Sequence, residues 1–292
     1  MNAVIEHSTV FQPALHQVRA SFDPEFGVQW TYLSPLGRAC FNRGLLLDLL
    51  AHYDNLEATG CAVTEEGCKH EIKFDVAASD VDGVFNLGGD LFLFRELIAK
   101  RDHAELLAYA KLCIENVWNR LRRYGRDTVT IALVQGKALG GGFEAALSSQ
   151  VLVAERSAQF GLPEVLFNLF PGMGAYSILS RRIGQREAEK MILSGRLYGA
   201  EEMQALGLVD VIAEDGQGEL AVLDYVRAHQ RRNNAMASVL RCRQLCNPVT
   251  HDELIAVAEE WVRAALKLQP RDLKMMERLV QSQDRLARPQ TN

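Results

Sequence analysis

Val134-Gln135-Gly136-Lys137-Ala138-Leu139-Gly140-Gly141-Gly142-Phe143-Glu144 decides the reading of this chain. An apolar strand, Thr128 to Val134, leads toward a triple-glycine turn, and a glutamate follows in the first turn of the next predicted helix. Glycine tolerates the backbone that such a turn demands and lets another group approach the main chain. The first N–H groups of a helix have no internal partner and attract an anionic oxygen. A second carboxylate comes in Phe160-Gly161-Leu162-Pro163-Glu164, where the fixed φ of Pro163 sets the direction of the chain. A second glycine pair, in Phe85-Asn86-Leu87-Gly88-Gly89-Asp90, ends another strand-like run and offers an opposing N–H.

Glu144 and Glu164 are 20 residues apart, too far to share one helical turn, so only the tertiary fold can make them converge. The ordinary reading of each motif alone is a helix-dipole glutamate, a solvated loop glutamate and a pair of tight turns. Their joint occurrence argues for one catalytic constellation.

These residues resemble the crotonase (enoyl-CoA hydratase/isomerase) superfamily, in which A-L-G-G-G-x-E, F-x-x-P-E and an earlier G-x-D segment build one active site. Within it the chain is most similar to bacterial diffusible signal factor synthases, through Gly37-Arg38-Ala39-Cys40-Phe41, Val84 to Leu91 and Gly161 to Tyr176. The resemblance covers nearly the whole chain. It implies an α/β fold, a crotonase-like spiral of ββα units, followed by helices that cover the site or contact a neighbouring subunit. The expected division is a core over residues 1–215 and a helical C-terminal subdomain over residues 216–292, after the Asp215-Gly216-Gln217-Gly218 break.

The resemblance also assigns roles. Backbone N–H groups of Gly89 and Gly141 would hold the thioester oxygen as an enolate develops. Glu164 would remove the C2 proton of a 3-hydroxyacyl thioester, and Glu144 would protonate the departing hydroxyl; the two roles are open to exchange. A second round would hydrolyse the thioester and free a cis-2-unsaturated fatty acid, a quorum-sensing signal. The implied carrier is acyl carrier protein or coenzyme A, the implied regulatory partner a sensor kinase, and the implied assembly a homotrimer or hexamer. Retention of both glutamates favours reactions that manage water. An enoyl-CoA hydratase of fatty-acid degradation uses the same residues in reverse and stays open, as does a non-catalytic crotonase-like signalling module.

Leu166, Phe167, Leu169, Phe170 and Met173, with Trp261, form a candidate wall for an acyl chain, against the plainer reading of core packing. Arg120, Arg122, Arg123 and Arg126 form one basic cluster, and Arg181, Arg182 and Arg186 another. Either would suit phosphate or an acidic carrier, although a solvated helix face is the simpler reading.

Composition fits a soluble enzyme: 292 residues, 48% hydrophobic and 24% charged. A net charge of −5 disfavours nucleic acid or anionic membrane as the main partner. No apolar run reaches the roughly 18 residues that a membrane span needs. Met1 to Leu15 lacks a basic start followed by an apolar core, so the chain is expected to be cytoplasmic. Six scattered cysteines read as free thiols. Cys242 and Cys246 lie four apart but lack further ligands, and no P-loop, dinucleotide fingerprint or HExxH occurs. Neither a cofactor nor a catalytic metal is expected.

Along the chain, His16 to Ser21 and Val28 to Leu33 predict a hairpin, and Leu45 to Leu56 a helix. Ile72, Phe74 and Val76 alternate as in a strand, with Ala58 to His70 before them as a surface loop. Helices are predicted over Leu91 to Lys100, Ala104 to Arg123, Ala175 to Arg182, Gln185 to Leu193 and Ala200 to Leu206. Short strands are predicted at Val151 to Ala154 and Gln159 to Leu162.

Overall fold

The computed structural model describes residues 15–65 and 68–286; the reading of the chain's first fourteen residues lies outside them. Strands β1 (Val18–Asp23) and β2 (Val28–Leu33) form the antiparallel hairpin. Asp23 Oδ1 accepts the N–H groups of Glu25 and Phe26, and Gly27 takes the positive φ that closes the turn. Helix α1 (Arg43–Ala58) follows, capped by Asn42, whose Oδ1 accepts the Leu45 N–H at 2.9 Å.

The stretch read as a loop before Ile72 instead contains an antiparallel ribbon, β3 (Ala62–Glu65) and β4 (Cys68–Glu71). Val63 buries its side chain, but Cys68, Lys69 and Glu71 are exposed, so β4 carries no apolar alternation to read.

Next come β5 (Phe74–Ser79), β6 (Val84–Asn86), α2 (Leu91–Ala99) and α3 (His103–Leu121). Then follow β7 (Val129–Val134), β8 (Lys137–Leu139) and α4 (Gly141–Leu147). The third group is β9 (Val151–Glu155), β10 (Gln159–Gly161) and α5 (Ala175–Ile183), trailed by α6 (Gln185–Ser194), β11 (Leu197–Gly199), α7 (Ala200–Ala205) and β12 (Val211–Ala213). Three times, therefore, a first strand enters a six-stranded sheet of order β1-β2-β5-β7-β9-β12 and a second enters a four-stranded sheet of order β11-β10-β8-β6. A helix then closes each unit. This is the expected ββα spiral.

Both faces of the large sheet are covered, which explains the continuous apolar runs of its strands. In β7, Val129, Ile131 and Leu133 face one core, while Ala132 and Val134 face the other. Of the C-terminal helices, α8 (Gly218–His229) and α9 (Asn233–Cys246) place Val222, Leu223, Val226 and Leu240 against the first of these cores. By contrast α10 (His251–Ala265) packs on α3, and α11 (Pro270–Leu286) on α2. None of the described helices is long and apolar enough to cross a membrane.

Candidate active site

Three neighbouring strands of the small sheet, β6, β8 and β10, deliver the site from their C-terminal ends. After β6, Asn86 Oδ1 accepts the Gly88 N–H at 2.8 Å, and the Gly88 carbonyl accepts the Phe41 N–H at 2.8 Å. Fixing that carbonyl fixes the opposite side of the same trans peptide, which is the Gly89 N–H. Among the described residues no backbone acceptor takes the N–H of Gly89 or of Gly141. The two glycine turns approach very closely. A Cβ on Gly88, whose φ is +95°, would lie 2.8 Å from the Leu139 oxygen and 3.0 Å from the Gly141 nitrogen.

After β8, Gly140 adopts φ 51° and ψ −127° as the residue before α4, a backbone that side chains disfavour. Glu164 exploits the missing side chain: a Cβ on Gly140 would lie 2.3 Å from Glu164 Oε1. Glu164 itself follows Pro163 in a short 3₁₀ turn, Pro163–Phe167, beyond β10. Its Oε2 is closed to solvent and, among the described residues, has no hydrogen-bond partner. Burial first, and then the charge of Glu144, push its carboxyl up to about 8, against its own backbone N–H.

Glu144, in the first turn of α4, is 1% exposed. Its Oε1 accepts the N–H of Met173 at 2.7 Å and of Ala175 at 2.9 Å, across the left-handed Gly174. Burial raises this carboxyl to about 7, opposed by those two N–H groups.

Both carboxylates and both glycines line one cavity of about 270 Å³. Leu166, Phe167, Leu169, Met173 and Trp261 also line it. Leu166 is 47% exposed, whereas Phe167, Leu169 and Trp261 are buried. The Trp261 indole packs on Gly172, where a Cβ would meet it at 2.5 Å, and edge-on to Phe94 at 4.9 Å between centroids. Phe170 is the correction. In the non-helical stretch after Asn168, Leu169 turns inward and its neighbour turns away, so Phe170 packs half-buried on the core and not on the cavity.

The sequence reading missed Phe94 on α2, Leu279 on α11 and the α3 face Tyr109, Ala110 and Cys113, all of which line the cavity. Tyr109 is buried; its hydroxyl donates to the Phe41 carbonyl and accepts the Asp90 N–H at 3.3 Å. It thereby braces Asp90, directly after Gly89, and Phe41, whose N–H holds the Gly88 carbonyl. The signal was the one-face spacing of residues 109, 110 and 113, which looks the same as core packing.

The basic clusters are not free helix faces. Arg120 is buried, donating from Nη1 to Asp75 Oδ2 at 2.6 Å, and Arg123 is buried beside it. Arg122 pairs with Glu57 and Arg181 with Glu253, while Arg182 Nη2 donates to the carbonyls of Leu147 and Ser149. Only Arg126 and Arg186 are exposed. The reason is packing: the end of α3 meets Asp75 and Ile131 of the large sheet and Glu57 of α1, while α5 meets the carbonyls at the end of α4 and Glu253 of α10.

Residues 69–277 match the family model described as enoyl-CoA hydratase/isomerase. The chain belongs to that family. The 2,3-dehydroadipyl-CoA hydratase of Escherichia coli (strain K12) is 33% identical over 184 residues, 62% of this chain and 64% of that relative. The mitochondrial methylglutaconyl-CoA hydratase of Mus musculus is 33% identical over 147 residues, 50% of this chain and 45% of its own. The chain thus spans less than two-thirds of the length of these curated relatives. Among solved structures, an enoyl-CoA hydratase from Bacillus halodurans superposes with a TM-score of 0.74 at 23% identity, covering 90% of this chain and 100% of that one. DspI of Pseudomonas aeruginosa gives 0.66 at 24% identity, covering 84% and 90%. Those two likenesses establish a shared crotonase fold.

Proposed function

We propose that the chain takes a medium- or long-chain 3-hydroxyacyl thioester, removes water across C2 and C3, and hydrolyses the thioester to release a cis-2-unsaturated acid. The observation that carries this reading is the buried, unpartnered Oε2 of Glu164, in a cavity shared with Glu144 and with two unpaired glycine N–H groups.

In this mechanism the Glu164 carboxylate takes the C2 proton, and the electron pair moves onto the thioester oxygen. Gly89 and Gly141 N–H groups stabilise that enolate; loss of one such donor costs roughly 3–4 kcal/mol at the transition state. The carbonyl then re-forms, C2=C3 forms, and the C3–O bond breaks as Glu144 protonates the hydroxyl, which leaves as water. A further water, deprotonated by one glutamate, attacks the carbonyl in the same oxyanion hole. Collapse of that adduct breaks the C–S bond and releases the carrier thiol.

A second reading, hydration of an enoyl thioester, has its own support. Burial raises both carboxyls, but two N–H donors hold Glu144 to about 7, whereas the charge of Glu144 adds to burial and carries Glu164 to about 8, so Glu144 is the first to lose its proton. The resting pair thus matches hydration, with Glu144 activating water and Glu164 protonating C2. Dehydration begins from the opposite placement of that shared proton.

Incubating purified protein with 3-hydroxyacyl carrier-protein and CoA thioesters, followed by mass analysis, tests the choice. The first reading expects free 2-enoic acid from the carrier-protein substrate. Rapid interconversion of hydroxyacyl-CoA and trans-enoyl-CoA without free acid would leave the hydratase reading standing. The apolar wall adds a second expectation: affinity falls as the chain shortens, by about 0.8 kcal/mol per methylene removed from contact.

A further inference from the structure

A second cavity, of about 560 Å³, shares no lining residue with the catalytic one. One arginine of the first basic cluster and two of the second, some sixty residues apart in sequence, line it. Arg122 comes from the end of α3, Arg181 and Arg182 from α5, and Arg243 joins from α9. Glu57 and Glu253 neutralise Arg122 and Arg181. Arg182 reaches only uncharged carbonyls, and among the described residues neither it nor Arg243 has an ion-pair partner. One carboxylate, Asp210, lines the wall, and its Oδ2 accepts the Leu152 N–H at 2.8 Å.

Two guanidiniums facing one wall carboxylate leave positive charge without a counterpart, in surroundings that partly exclude water. Burial lowers the proton affinity of Arg182 to about 10; Asp210 opposes this, and Arg243 adds a smaller contribution in the same direction as burial. The remaining wall is largely apolar, through Trp118, Ile178 and Leu240. An arginine fork suits the planar oxygens of carboxylate and phosphate alike.

We propose that this cavity binds a small amphipathic anion, its carboxylate or phosphate head between Arg182 and Arg243 and its apolar body against Trp118, Ile178 and Leu240. The proposal is independent of the catalytic reading, because it uses none of the residues that line the catalytic cavity.

Calorimetric titration of the full chain with dodecyl phosphate, dodecanoate and inorganic phosphate tests it. Arg243→Gln removes a charge from an exposed side chain, and Asn247→Asp adds an opposing charge on the same wall. At least one dodecyl anion should bind saturably below about 1 mM, and about tenfold more tightly than inorganic phosphate. Each variant should weaken that binding about tenfold while its melting temperature stays that of the parent. The relative affinity of the two dodecyl anions identifies the preferred head group. Absence of saturable binding overturns the proposal. So does equal binding by both variants, which would place the amphiphile in the catalytic cavity.

Discussion

Glu144→Gln retains a side-chain oxygen for the N–H groups of Met173 and Ala175, and Glu164→Gln retains the shape that fits over Gly140. Each variant should therefore fold and lose nearly all turnover, by more than about a hundredfold in kcat. Near-normal turnover by either folded variant would reject the two-carboxylate mechanism. The same pair makes a prediction about pH. Both carboxyls are raised from 4.5, to about 7 and about 8, so the folded chain keeps protons that the unfolded chain releases in this window. Their contribution to stability is thus full below about pH 4.5, falls as pH rises through 7 to 8, and levels off above. Scanning calorimetry at about pH 5 and about pH 8.5 should show a smaller loss of melting temperature for Glu164→Gln than for the parent. Tyr109→Phe removes the hydroxyl that braces Phe41 and Asp90 beside Gly89; we expect kcat to fall about tenfold with KM little changed, in steady-state assays. The glutamates and glycines were legible because glycine and proline announce turns in sequence. Tyr109 and Cys113 were not, because a helix face lining a cavity has the same periodicity as one lining a core.

Asp75 on β5 links several elements. It accepts from Thr31 of β2 at 3.0 Å, from Arg120 of α3 at 2.6 Å and from Tyr124 at 2.6 Å, while Arg120 also donates to the Ile131 carbonyl of β7 at 2.9 Å. His52, buried against Thr31, is lowered to about 4, chiefly by burial, and so stays neutral at physiological pH. Asp75→Asn strands the Arg120 charge in this network and should destabilise the chain by about 3–5 kcal/mol, measured by urea unfolding. Sequence placed Arg120 on the surface because arginine is so seldom buried, and its partner lies forty-five residues away. Elements with a strong apolar pattern, such as β7 and α3, were readable. The β3–β4 ribbon was not, since neighbouring backbone rather than side-chain pattern holds Cys68 to Glu71 in place.

For the whole molecule, the succession of strands and helices was visible in sequence, but the spiral was not, because its three units share geometry rather than residues. Apolar side chains stand out on α9, with Val239 64% and Leu245 81% exposed. Together with the family resemblance they lead us to expect a trimer or a pair of trimers. Light scattering at micromolar concentration should give three or six times the 32.6 kDa chain mass, and a monomeric mass would contradict this. The four-stranded sheet has one further consequence. Its adjacent strands β6, β8 and β10 end two or three residues before Gly89, Gly141 and Glu164, so backbone pairing, with a pitch of about 4.8 Å, acts as a ruler for the reacting groups. Beyond the turn that carries Glu164, the cavity wall is completed from elsewhere, by α2, α3, α10 and α11. These helices can therefore be recut to reshape the cavity while the ruler keeps its graduations.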